Sequence, residues 1–162
     1  MFGIFKTATF EDGRLGVLTR SRGCWRGSIT LGQHGTVELN VSGGRESPDA
    51  EGLALAHELP ARYEALCPAI QAGLFTHYEP YREEADSAGE HTELFESVTK
   101  IQQAEDVWPH VVVRWVRIEL LKGAPRDGQT IEIAYRVAWD EEHTVGARIQ
   151  DWNLWELCGS VV

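Results

Sequence analysis

The sequence of 162 residues has few cysteines and no long apolar run. Its three cysteines, Cys24, Cys67 and Cys158, are odd in number, far apart and form no C-x-x-C pair, so we expect reduced, buried thiols rather than a disulfide framework. No apolar run approaches the length of a membrane span, and the N-terminal residues lack the regions of a signal peptide. These absences predict a cytoplasmic protein that does not enter a membrane.

Basic residues are also scarce, with 15 Lys and Arg against 25 Asp and Glu, a net charge of -10. Nucleic acids and anionic membrane surfaces are bound through clustered Lys and Arg. The scarcity of basic residues therefore excludes nucleic acids and anionic membranes as expected partners. The nearest approach to a basic patch is the group Arg20, Arg22 and Arg26. The acidity is compatible with a basic protein partner and equally with simple solubility.

Complete catalytic motifs are absent: there is no G-x-S-x-G, P-loop or G-x-G-x-x-G. His57-Glu58 begins like H-E-x-x-H, but Ala61 stands where the second histidine is required. Nothing in the sequence pairs Cys158 with a base, and a packing role is expected for His77 near the end of a predicted helix. We therefore expect no cofactor, and binding rather than catalysis.

The clearest strand begins at Ile131 and delivers one apolar face to the core; that face comprises Ile131, Ile133, Tyr135, Val137 and Trp139. The apolar pattern resumes at Val145, which predicts an antiparallel hairpin with Trp139 opposite Val145. Residues 140–144 then form a five-residue loop that lies in solvent. Gly146 could instead mark a β-bulge and change this count.

Similar patterns predict further strands at 2–5, 15–19, 25–31, 37–41, 97–103, 111–121, 145–149 and 154–157. Ser47-Pro48-Asp49 predicts a helix start with Ser47 as the cap, and an apolar stripe continues the helix to about Glu84. Pro60 and Pro68 should bend or restart it, and residues 82–90 should form an exposed loop. A short helix is predicted at 103–110. The expected fold is one α+β domain over residues 1–162, an antiparallel sheet of N-terminal and C-terminal meanders packed against a bent central helical region.

The chemically richest stretch is Asp140-Glu141-Glu142-His143. Carboxylates beside an imidazole could hold a metal or share acid and base work, but consecutive loop residues rarely converge on one ion. We favour a structured turn that serves as an interaction surface, in which Asp140 accepts loop N–H groups and His143 hydrogen-bonds a carboxylate. The alternative is a metal-dependent hydrolase that uses Asp140, Glu142 and His143, with His110 or His34 as further ligands.

Trp152 is the second candidate contact residue. Alternation places Trp25, Trp115 and Trp139 in the core, whereas Trp152 falls in the expected turn Gln150-Asp151-Trp152-Asn153, with Asn153 able to supply a positive φ. An exposed tryptophan would indicate an interface, and folding back over the sheet edge is the alternative.

The pattern W-D-E-E-H-x-x-G at Trp139 to Gly146 and the earlier W-x-G-x-I at Trp25 to Ile29 resemble an uncharacterised bacterial domain family. Where that family favours Asp-Gly, this chain has Asp151-Trp152. The resemblance covers the two ends of the chain and implies no activity. In style, such small acidic domains are similar to immunity proteins, which bind and neutralise a toxin. The sequence thus predicts a small acidic protein-binding domain, its contact residues being Asp140, Glu141, Glu142, His143 and Trp152.

Overall fold

Eight strands form one sheet in the computed structural model, which describes residues 7–88 and 100–159. Their order across the sheet follows the chain. The strands are β1 Thr9–Asp12, β2 Gly16–Ser21, β3 Cys24–Thr30, β4 Thr36–Ser42, β5 Val111–Glu119, β6 Thr130–Val137, β7 Asp140–Gln150 and β8 Asn153–Cys158. Neighbouring strands are antiparallel except β4 and β5, which run parallel. An α+β fold with a mainly antiparallel sheet is confirmed, whereas the parallel pair between the two meanders was not predicted.

One helix, α1 (Ala50–Ala88), connects β4 to β5 and packs on one face of the sheet. Its cap is Asp49 rather than the predicted Ser47, because the Asp49 carboxylate accepts the Gly52 N–H at 2.9 Å. The helix runs on to Ala88, so the exposed loop predicted at residues 82–90 is wrong as far as residue 88, and its last two residues lie outside the described part.

Three prolines, Pro60, Pro68 and Pro80, lie inside α1, and all three are exposed. Each removes a backbone N–H that would otherwise bond to the preceding turn. The helix continues through all three prolines, so neither Pro60 nor Pro68 restarts it. A bend at these prolines stays a prediction.

The core lies between α1 and the covered sheet face, and the apolar face of β6 is its centre. All five residues predicted on that face are buried. The Tyr135 hydroxyl lies 2.9 Å from the hydroxyl of Tyr63 on α1, and burial raises the pKa of Tyr135 well above its ordinary value. The prediction that these five side chains face the core is confirmed.

The predicted pairing of β6 with β7 is wrong. Tyr135 lies opposite Val145, where the sequence analysis placed Trp139. Ile131, Ile133 and Tyr135 still meet apolar partners, so the faces are correct there, but the register is shifted by four residues along β6. The five-residue loop does not form: Asp140 already belongs to β7, and Val137 pairs with it.

Several smaller expectations also change. The strand predicted at 2–5 lies outside the described residues, and β1, at Thr9–Asp12, was not predicted. Residues 100–103, the described part of another predicted strand, form no strand, and the short helix predicted at 103–110 is a 3-10 helix, Ala104–His110. Trp115 and the three free cysteines are half-buried rather than buried. In the described part of the chain, no helix is long and apolar enough to cross a membrane.

Candidate functional site

The end of the β6–β7 hairpin, residues 138–143, is here called the tip. Ala138 and Trp139 form a two-residue turn, after which Val137 pairs with Asp140. The next pair is Arg136 with Thr144, so residues 141–143 have no opposite residue on β6. This extra segment of three residues is an irregular bulge, and bulges bend a strand and re-aim its side chains.

Asp140 fixes the tip to the body of the protein. Its side chain is 8% exposed and accepts a hydrogen bond of 2.6 Å from the Tyr81 hydroxyl on α1. It also accepts the His143 backbone N–H at 3.1 Å, and the His143 Nδ1 lies 3.0 Å from its oxygens. The predicted bonds between Asp140, the loop backbone and His143 are therefore present, but Asp140 itself is buried rather than held in solvent.

The electrostatics of this carboxylate follow from its partners. Burial acts to raise the pKa of Asp140, but hydrogen bonds from Tyr81 and His143 outweigh burial and hold the pKa below its ordinary value. The same bond to Asp140, with a contribution from burial, raises the pKa of Tyr81 to about 12. The pair is therefore an ionised carboxylate held by a neutral phenol at physiological pH.

A second contact joins the tip to α1 through Trp139. Its indole N–H donates to His77 Nδ1 at 3.0 Å, and the His77 ring stacks on Tyr81 with ring centroids 5.5 Å apart. Burial is the main cause that lowers the pKa of His77, so its ring is neutral and can accept this bond. His77 and Tyr81 lie four residues apart, on one face of α1, and both hold the tip.

The bulge presents Glu141, Glu142 and His143 outward. Both glutamates are exposed, and the His143 side chain is 49% exposed. Glu141 also lines a concavity of about 510 Å³ beside the tip, together with Pro109, His110, Val112, Arg136, Val137 and Ala138. Val112 is 49% exposed there, which adds apolar surface next to the acidic pair.

Trp152 is not part of this surface. It lies in the β7–β8 turn, at the opposite end of the eleven-residue strand β7, about 30 Å from the tip at the usual rise per residue. The Arg62 guanidinium lies 4.9 Å from its ring centroid, and the indole is half-buried against the core. The predicted positive φ at Asn153 is wrong, since Asp151 (52°) and Trp152 (60°) adopt it.

The alternative ligand set for a metal does not assemble. Both oxygens of Asp140 are engaged by Tyr81 and His143. His34 packs between the rings of Tyr63 and Trp108, away from the tip. Across residues 7–88 and 100–159, no group of three or more His, Cys, Asp or Glu side chains could hold a metal ion.

The sequence predicted a packing role for His77 but did not indicate Tyr81 or Val112 as part of the site. The spacing of His77 and Tyr81 indicates a shared helix face, but nothing in the sequence identifies Asp140 and Trp139 as what that face meets. Val112 belongs to a strand whose start is apolar on both faces, and that pattern could have indicated an exposed apolar side chain.

Residues 14–160 match the model of a family described as a domain of unknown function (DUF6985). No curated protein and no solved structure matches the chain.

Proposed function

The chain belongs to the family described as a domain of unknown function (DUF6985), and we propose that it is a non-catalytic protein-binding domain whose contact surface is the tip. The observation that supports this most is the bulge of residues 141–143. It turns two adjacent glutamates outward from a turn that is fixed by Asp140 and Trp139. A rigid surface loses less conformational entropy on binding than a loose loop does.

The chemistry of the tip fits a basic protein. Two exposed carboxylates and an overall charge of -10 attract Lys and Arg side chains. The neighbouring concavity, with the exposed Val112 in its wall, has room for one or two partner side chains. The most concrete version of the proposed function is a cytoplasmic immunity-type protein that binds and neutralises a toxin.

Charge reversal tests the proposal. The partner is captured from the native host with the full-length protein, identified, purified and titrated against the variants. Glu141→Lys combined with Glu142→Lys should weaken the complex by about tenfold or more, because two attractive charges become repulsive. The association rate of the wild-type pair should also fall as salt is added.

The matched control is Glu46→Lys combined with Glu64→Lys, which changes the net charge equally at two exposed sites away from the tip. Its affinity should remain within about twofold of wild type, apart from the general loss of charge attraction. Equal weakening by the control and the tip variant would remove the tip from the interface. A wild-type protein that captures no saturable partner would refute the protein-binding function.

A further inference from the structure

A row of polar side chains crosses the sheet face opposite α1. Consecutive register pairs place its members side by side on neighbouring strands from β2 to β8; they are Thr19, Arg26, Asn40, Arg117, Glu132, Arg148 and Glu156. From β5 onward the charges alternate, and each arginine has a glutamate beside it. The Arg148 guanidinium, for example, donates to Glu132 at 2.8 Å and to Glu156 at 2.7 Å.

This alternation ends at β4, where the row carries Asn40 instead of an acid. Asn40 is 8% exposed and donates its amide N–H to Glu38 at 2.8 Å, which fixes its orientation. Arg26 lies on the far side of Asn40, at the exposed end of the row. Arg26 makes no ion pair with any residue of 7–88 or 100–159, so its charge is not compensated within the described part of the row.

A concavity of about 450 Å³ opens at this end of the row. Arg22, Arg26 and Arg117 contribute the positive charge of its wall, and Glu38 and Glu119 the negative charge. Asn40, Ser42 and Trp115 also line it, with the Arg117 guanidinium 4.5 Å from the Trp115 ring centroid. The volume lies within the range of small-molecule sites.

Arg22 supplies a second, independent observation. It is the first residue of the two-residue turn between β2 and β3 and has a φ of 49°, a conformation in which Asn, Asp or Gly is usual. Arginine there costs backbone energy without filling a turn role. A strained residue whose side chain reaches a concavity indicates a function for that side chain.

We propose that this concavity binds a compact oxyanion, a phosphate or carboxylate group of a small molecule, through Arg22 and Arg26. Guanidinium groups bind both kinds of oxyanion through paired N–H donors. The two glutamates of the wall already have partners, since Glu38 accepts a hydrogen bond from Asn40 and Glu119 lies 3.7 Å from Arg117. This site lies on the open sheet face and is independent of the tip.

Calorimetric titration of the full chain with inorganic pyrophosphate and, separately, with citrate tests the site. The wild type should bind at least one probe saturably with one site per chain, although its net charge repels anions in general. Arg26→Gln should weaken that binding by about tenfold. The matched control Arg136→Gln removes another exposed arginine, one that lines the concavity beside the tip. It should change the affinity by less than about twofold.

Arg22→Asn provides a test that does not depend on the folding of the first variant. Asparagine tolerates the positive φ, so the melting temperature should stay equal or rise while probe binding weakens. Binding of pyrophosphate alone would identify a phosphate ligand, and binding of citrate alone a carboxylate. No saturable heat with either probe, or equal weakening by Arg26→Gln and Arg136→Gln, would overturn the proposal.

Discussion

At the scale of single residues, four side chains hold the tip on α1 through directional bonds. Tyr81 donates to Asp140, and Trp139 donates to His77. The Tyr81 bond is strongest when Asp140 is ionised, and the Trp139 bond requires that His77 Nδ1 carry no proton. Protonation of His77 at Nδ1 therefore removes one of the two bonds that hold the tip.

The His77 bond predicts a dependence on pH. Because the folded pKa of His77 is lowered, the unfolded chain binds more protons, and the stabilisation is complete above about pH 6.5 and is lost as the pH falls through the folded pKa. His77→Asn keeps an acceptor for the indole N–H but does not titrate. We expect the free energy of unfolding of wild type, relative to this variant, to decrease as the pH is lowered from 7.5 to 5 in urea titrations.

His34 and His110, whose pKa values burial also lowers, are present in both proteins and cancel in this difference. A difference that stays constant over the same pH range would show that His77 does not titrate between the folded and unfolded states in this way.

Some hydrogen bonds of the site could be predicted from the sequence, and others could not. The bonds within the tip, between Asp140 and His143, follow from short side chains three residues apart and were predicted. The bond from Tyr81 joins residues that are far apart in the chain. Its existence depends on where α1 crosses the sheet, which local pattern does not determine.

At the scale of elements, the sequence patterns predicted β3, β4, β6 and β8, although burial alternates along the strand only in β3. All residues of β6 except Arg136 are buried, on both faces, and no residue of β8 is fully buried. The register of β7 was not determined by alternation, because shifts by an even number of residues keep the same faces together. The observed register contains the bulge of residues 141–143, next to the Asp140 side chain that accepts the Tyr81 hydroxyl. Hydrophobic matching alone could not distinguish this register from the predicted one.

The junction between β4 and α1 gives a prediction at this scale. A Cβ on Gly43 would lie 2.6 Å from the Pro48 Cα and 2.7 Å from the Asp49 nitrogen, both backbone atoms. Since Asp49 caps the helix, Gly43→Ala must displace the start of α1. We expect a loss of about 3 kcal/mol in the free energy of unfolding, measured by urea denaturation.

Gly44→Ala is the matched control, because a Cβ there meets only the Ser47 carbonyl oxygen at 3.9 Å. It should change the stability by about 0.5 kcal/mol or less. Similar losses in the two variants would mean that backbone freedom, not the contact with Pro48, is what Gly43 provides.

At the scale of the whole molecule, the polar row crosses seven of the eight strands on the open face, and its ion pairs join the four strands from β5 to β8. Glu132 is its centre: only 4% exposed, it accepts from Arg148 at 2.8 Å and lies 3.9 Å from Arg117. A buried carboxylate between two guanidinium groups is well compensated, and its removal leaves cations without their main partner.

Glu132→Gln should therefore cost about 2 kcal/mol of unfolding free energy, less than the full cost of breaking a buried pair because Arg148 keeps Glu156. Glu156→Gln, at a side chain that is 40% exposed, should cost about 1 kcal/mol or less. Chemical denaturation of both variants measures the two values. Equal losses would mean that burial does not decide the strength of these pairs.

The parallel seam between β4 and β5 has a consequence for how the chain reaches this fold. All the other neighbouring strands are joined by connections without an α-helix. The β4–β5 seam, in contrast, closes only after α1 and the residues that follow it have been made. During synthesis on the ribosome, the first four strands therefore emerge with the β4 edge unpaired and the apolar side of α1 uncovered. An open strand edge and exposed apolar surface both favour aggregation, and in this chain both are covered when the second meander docks.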